Sequence, residues 1–170
     1  KKTHLPFFKT KFFKIYFVSR KNILLRIFNR LIKILRLPIS VFYTEIEYSS
    51  ITTGGHILPH TDIHTKRLSF VFYLSGMNID FTSEMKKNLG TIFWKPKKTA
   101  VSQIKRFAST FLRGKEKEDF YINYEPLHTS TYEANKIAGF IKSDISWHSV
   151  KKFDFDFDRR AIVINVYEWL

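Results

Sequence analysis

A mainly β fold with flanking helices is predicted for this chain, and three observations predict it. Runs rich in β-branched and aromatic residues recur at 41–51, 68–74, 91–94, 136–141 and 160–168, separated by Gly, Asn, Asp and Ser positions. Helical periodicity is clearest before Pro38, where Leu24, Ile27, Phe28, Leu31, Ile34 and Leu35 follow i, i+3, i+4, i+7 spacing. The composition, 44% apolar and 17% aromatic over 170 residues, supplies enough for one compact core. One domain over 1–170 is therefore expected, with a basic helical segment at 1–40 and a β core at 41–168.

The strand rhythm has recognisable punctuation. Gly54-Gly55 marks a turn just ahead of a histidine-rich stretch, and Ser75-Gly76 ends the following run. Residues 97–128 break the rhythm and read as an insertion, with a short helix from Val101 to Leu112, a cap at Gly114 and a charged run from Lys115 to Asp119. In the N-terminal segment Pro38 closes the helix, because the residue before a proline is pushed out of helical geometry. Its apolar face is expected to pack on a sheet, with Arg26, Arg30 and Lys33 in water. A membrane-surface or anion-binding role is the competing reading.

Composition also removes several chemistries. With no cysteine there are no disulfides, thiolate nucleophiles, zinc fingers or cysteine-held clusters, so any metal must use His, Asp or Glu. Lys and Arg interrupt every early apolar stretch before it reaches the roughly 18 residues that span a bilayer. No signal peptide is recognisable, and a cytoplasmic location is expected. The chain starts at Lys1 rather than Met, as expected of a fragment. The net charge of +14 is local: residues 1–40 hold 11 of the 29 Lys and Arg and none of the 15 Asp and Glu, which leaves +3 for the rest.

Six histidines stand at 4, 56, 60, 64, 128 and 148. In an extended segment residues i and i+2 point the same way, so His60 and Asp62 can present an imidazole and a carboxylate to one point. His148, after Trp147 and ahead of a strand-like stretch, is the best third ligand from afar. Two His and one carboxylate on one face of an iron leave positions open for a co-substrate and dioxygen. A local strip of His60, Asp62 and His64 is the alternative, disfavoured because three ligands in five residues close poorly around one ion. His56 and His128 are expected in loops near the mouth. The alternation Phe153-Asp154-Phe155-Asp156-Phe157-Asp158 lacks the glycine turn of a calcium loop and reads as a solvated edge.

The order of the motifs adds more than any one of them. His60-Thr61-Asp62, the run Arg67 to Ser75, Gly90-Thr91-Ile92, Asn135 to Phe140, Ser146 to Val150 and Arg159-Arg160-Ala161-Ile162 together resemble the 2-oxoglutarate/Fe(II)-dependent oxygenase superfamily. The prolyl-hydroxylase-like branch is the most similar, from about Tyr43 to Tyr167. A Gly-Gly pair reduced to Leu89-Gly90, and the 97–128 stretch, depart from the pattern. The resemblance implies a double-stranded β-helix, or jelly roll, with iron(II) held at its open end by His60, Asp62 and His148. It further implies 2-oxoglutarate as co-substrate, with ascorbate as an optional reductant, and a basic residue for the far carboxylate. Arg159, 11 residues beyond His148, takes that place, and Tyr73 matches a tyrosine that helps it, a core aromatic being the alternative reading of that residue.

The reaction so implied is oxidative decarboxylation of 2-oxoglutarate to succinate and carbon dioxide, coupled to hydroxylation of a C–H bond. Its substrate is left open between a peptidyl side chain and a small molecule. Parity favours Arg159 over its neighbour, since Arg159, Ala161, Val163 and Asn165 share one strand face and Arg160, Ile162, Ile164 and Val166 the other. The alternatives are a non-catalytic metal-binding β-barrel, or a basic module contacting nucleic acid or a membrane surface through residues 1–40. Cations gathered in one segment rather than spread with stacking aromatics disfavour nucleic acid.

Overall fold

The computed structural model describes residues 10–16, 23–35, 42–76, 81–97, 112 and 115–168. Among these residues nine strands and three helices follow in the order β1 (Thr10–Tyr16), α1 (Ile23–Ile34), β2 (Phe42–Thr52), β3 (Ile57–His60), β4 (Lys66–Tyr73), α2 (Ser83–Asn88), β5 (Thr91–Pro96), α3 (Lys115–Asn123), β6 (Tyr124–Thr129), β7 (Ile137–Ile141), β8 (His148–Val150) and β9 (Asp158–Glu168). They form two antiparallel sheets, one ordered β1-β2-β9-β4-β7 and the other β3-β8-β5-β6. This mainly β, two-sheet arrangement is the jelly-roll class that the sequence pattern and the resemblance together suggested.

The larger sheet is built on one long pairing. β2 and β9 run in register without interruption from Phe42 opposite Glu168 to Thr52 opposite Asp158. Side-chain alternation makes one face of this sheet the inner one: Arg159, Ala161, Asn165 and Tyr167 of β9 are buried, while Arg160 is exposed. Ile51, Tyr73, Leu89, Tyr132, Val150 and Phe153 form the main core with Ala161. In the 153–158 alternation Phe153 is buried, and Phe155 and Phe157 pack against the core from partly buried positions, while Asp154 and Asp156 face water. Burying three rings on the inner side explains the period-2 pattern without any ion.

Three expectations need correction. Residues 124–128, read as insertion, belong to β6, which pairs with β5 and closes the edge of the smaller sheet; Pro126 obscured the strand pattern but is tolerated at an edge. His128 therefore lies on that strand, its ring stacked on Phe93, rather than in a loop. Ahead of it, the charged run from Lys115 belongs to α3, which buries Phe120 against Tyr124 and Trp147 in a second core. The helix expected from Val101 to Leu112, with its Gly114 cap, lies outside the described residues except for Leu112, which joins that same second core.

The third correction concerns α1. Its described apolar side chains, Ile23, Ile27, Phe28, Leu31 and Ile34, and Leu35 directly after it remain 49% to 71% exposed and so do not cover a sheet. Amphipathic periodicity specifies a helix with one apolar face, and any apolar surface can satisfy that face, so the pattern does not name its partner. Among the described residues no helix is long and apolar enough to cross a membrane.

Candidate metal centre

Short strands at the mouth of the smaller sheet set the geometry. β3 and β8 are antiparallel neighbours in which His60 stands directly opposite His148, and the two imidazole centroids lie 4.2 Å apart. Asp62, two residues beyond the end of β3, turns its carboxylate to both rings, with Oδ1 3.9 Å from His60 Nε2 and Oδ2 3.9 Å from His148 Nε2. One donor atom from each of the three residues falls within 4.8 Å of the others. All three side chains are 15% exposed or less.

Backbone carbonyls fix the tautomer of both rings. His60 Nδ1 lies 3.0 Å from the Leu58 carbonyl oxygen and His148 Nδ1 lies 3.1 Å from that of Ser146. A carbonyl only accepts, so each Nδ1 carries the proton and each Nε2 carries the lone pair. Burial lowers the His60 pKa, and burial followed by the neighbouring His60 imidazole pushes His148 down to about 3. Both rings are thus neutral near pH 7, the form that ligates a metal. Burial alone would push the Asp62 carboxyl up, but the His148 imidazole and the Lys66 ammonium outweigh it and hold the carboxyl below its ordinary value. Lys66 Nζ donates to Asp62 Oδ1 at 2.8 Å. Two neutral imidazoles and one carboxylate, pre-oriented by second partners, are a donor set that fits a divalent first-row metal.

These residues open into a cavity of about 210 Å³ between the sheets, lined also by Val71, Val163, Asn165, Thr91 and Arg159. Arg159 is 2% exposed, and its Nε donates to the Leu89 carbonyl at 2.6 Å. Its guanidinium rests on the faces of Tyr73 and Tyr132, 5.4 and 5.9 Å from their ring centroids. Burial lowers its pKa, and the Tyr73 and Tyr132 hydroxyls oppose that shift. Among the described residues no carboxylate pairs with it. Tyr73 is itself buried behind this arginine, and its hydroxyl donates to Thr91 Oγ1 at 2.8 Å and accepts from the Thr91 amide at 3.1 Å. It therefore shapes the cavity wall through Thr91 and Arg159.

Solved structures similar to this chain were found, although no protein-family model and no curated protein matches its sequence. A prolyl-4-hydroxylase from Pseudomonas putida aligns over 94% of this chain and 73% of its own at 12% identity, with a TM-score of 0.47. HygX from Streptomyces hygroscopicus with iron bound aligns over 91% and 71% at 11% identity and TM-score 0.42. The same protein with nickel and 2-oxoglutarate bound aligns over 95% and 84% at 11% identity and TM-score 0.39. The chemistry of the site rests on the chain's own side chains.

Of the residues singled out in the sequence, the structure brings together His60, Asp62 and His148, sets Arg159 in the same cavity and places Tyr73 behind it. His64 is exposed and outside the cluster, and His56 sits in the turn between β2 and β3. Lys66 was missed by sequence reasoning. Its signal was the spacing of a base four residues after Asp62, which a tight turn closed by the Lys66 amide on the Ile63 carbonyl converts into contact.

Proposed function

We propose that this chain is an iron(II)- and 2-oxoglutarate-dependent dioxygenase that hydroxylates a C–H bond of a peptidyl or small-molecule substrate. One observation carries the reading: a His-Asp-His donor set and a buried arginine with no acidic partner among the described residues face the same small cavity. A buried unpaired guanidinium costs several kcal/mol, and an anionic ligand entering the cavity offsets that cost. A dicarboxylate suits the pair of features, one end at the metal ligands and the other at the arginine fork.

His60, Asp62 and His148 would hold the iron, which when bound supplies the activation of dioxygen that couples loss of carbon dioxide from 2-oxoglutarate to insertion of one oxygen atom into the C–H bond, the other atom ending in succinate. The chain's own part is positional. Leu58 and Ser146 carbonyls orient the imidazoles, Lys66 orients the carboxylate, and Ser69 donates to Asn165 Oδ1 at 2.6 Å along the cavity floor. Arg159 would take the far carboxylate, supported by Tyr73 and Thr91. Val71 and Val163 present apolar wall that keeps competing water away from the reacting end.

The test is optical. Anaerobic addition of Fe(II) and 2-oxoglutarate to the protein should give the weak visible charge-transfer band of the chelate. Folded, metal-loaded protein without that band would refute the reading.

A further inference from the structure

We propose that α1 is an anchor that lies along the surface of an anionic lipid bilayer. Five bulky apolar side chains of this 12-residue helix, Ile23, Ile27, Phe28, Leu31 and Ile34, together with Leu35 just beyond its end, are about half-exposed or more. Around a 3.6-residue repeat they occupy one continuous arc, and Arg26 and Arg30, both exposed, stand together beside it. At 1.5 Å per residue the helix is about 18 Å long, too short for a hydrocarbon core of about 30 Å, so it can lie in an interface but not span it.

Charge selects the occupant. Residues 1–40 carry 11 Lys and Arg and no Asp or Glu, whereas the other 130 residues are nearly balanced. A second copy of this chain would bring two such cationic segments face to face, which like-charge repulsion opposes. A nucleic-acid backbone would satisfy the arginines but give six exposed apolar side chains nothing to enter. A bilayer containing acidic headgroups meets both requirements, apolar depth for the arc and negative potential for the arginines at its rim.

The experiment is co-sedimentation of the full chain with phosphatidylcholine vesicles, with and without phosphatidylserine, at low and high salt. Binding should require phosphatidylserine and fall with salt. The pair Ile27→Asp and Leu31→Asp should weaken it at least about tenfold with unchanged circular dichroism and melting temperature, since these side chains are exposed. The pair Arg26→Glu and Arg30→Glu, which leaves the apolar arc intact, should remove the salt-sensitive part. Equal binding to neutral vesicles, no binding at all, or insolubility of the aspartate pair would overturn the proposal. So would a concentration-dependent dimer abolished by that pair, or retention on duplex DNA that survives it.

Discussion

Arg159 donates from Nε to the carbonyl oxygen of Leu89 at 2.6 Å, which ties the strand carrying the cavity's buried cation to the turn that closes α2. With Nε so committed, recognition of an anion falls to the two Nη nitrogens, the paired end of the fork. Arg159→Ala should weaken 2-oxoglutarate binding by about 2–5 kcal/mol, the usual loss when one partner of a buried charge pair is removed. Arg160, one residue on, has a side chain 56% exposed and pairs at 2.9 Å with Asp158 on the outer face. Arg160→Ala should leave the affinity unchanged. Titrating both variants with 2-oxoglutarate decides the matter, and the reverse pattern would place the wrong strand face toward the co-substrate.

Gly90 follows Leu89, and the same turn makes it intolerant of a side chain. A Cβ there would lie 1.6 Å from the Ser130 carbonyl oxygen and 2.8 Å from its carbon, backbone atoms of the residue just past β6, whose amide donates to the Thr91 carbonyl at 3.0 Å. Gly90→Ala should therefore cost about 1–3 kcal/mol or more in denaturant unfolding and also weaken 2-oxoglutarate binding by moving the Leu89 carbonyl. Gly139→Ala is the control, because its Cβ would meet the ring of Phe70 at 2.7 Å and a side chain can move. Equal stability losses in the two variants would show that the β5–β6 edge is more yielding than the register implies.

These two sites show what a sequence discloses and what it hides. The five runs of β-branched and aromatic residues correspond to β2, β4, β5, β7 and β9, because long half-buried strands repeat their pattern often enough to be read. β3 and β8, four and three residues long, are too short to show a period, yet their pairing sets His60 opposite His148. The i, i+2 relation of His60 and Asp62 is local and was legible. The approach of His148 to them is a tertiary fact that spacing alone could not supply, and motif order stood in for it. Lys66, Leu58 and Ser146, which orient the donors, carry ordinary residue types whose roles arise only from backbone placement. The α1 pattern was legible as a helix and silent about its partner.

His60→Ala, Asp62→Ala and His148→Ala should each abolish iron-dependent succinate formation, and the folded state should persist, since the three sit at the cavity mouth rather than in the main core. His64→Ala should retain activity, because that ring is exposed and outside the cluster. Iron content after desalting, read beside circular dichroism, separates loss of metal from loss of fold. Metal loss in His64→Ala as severe as in His148→Ala would remove His148 from the ligand set.

The same burial that keeps His148 neutral predicts how the metal-free protein responds to acid. Its imidazole titrates at about 3 in the folded chain against 6.5 in the unfolded one, and His60 is shifted in the same direction. Between those values the unfolded state binds more protons than the folded state, so stability rises with pH across the window. The contribution is whole above about 6.5 and is lost progressively as the pH falls toward 3. Asp62, lowered from 3.8 when folded, adds a loss of the same sign at the acidic end. Melting temperatures of the metal-free protein should therefore decline steadily through that range. His148→Gln, which keeps a polar side chain but cannot take up the proton, should flatten the decline. A wild-type profile that is level from neutral pH to below 5, or a His148→Gln profile as steep as wild type, would show that His148 is not held neutral by its surroundings.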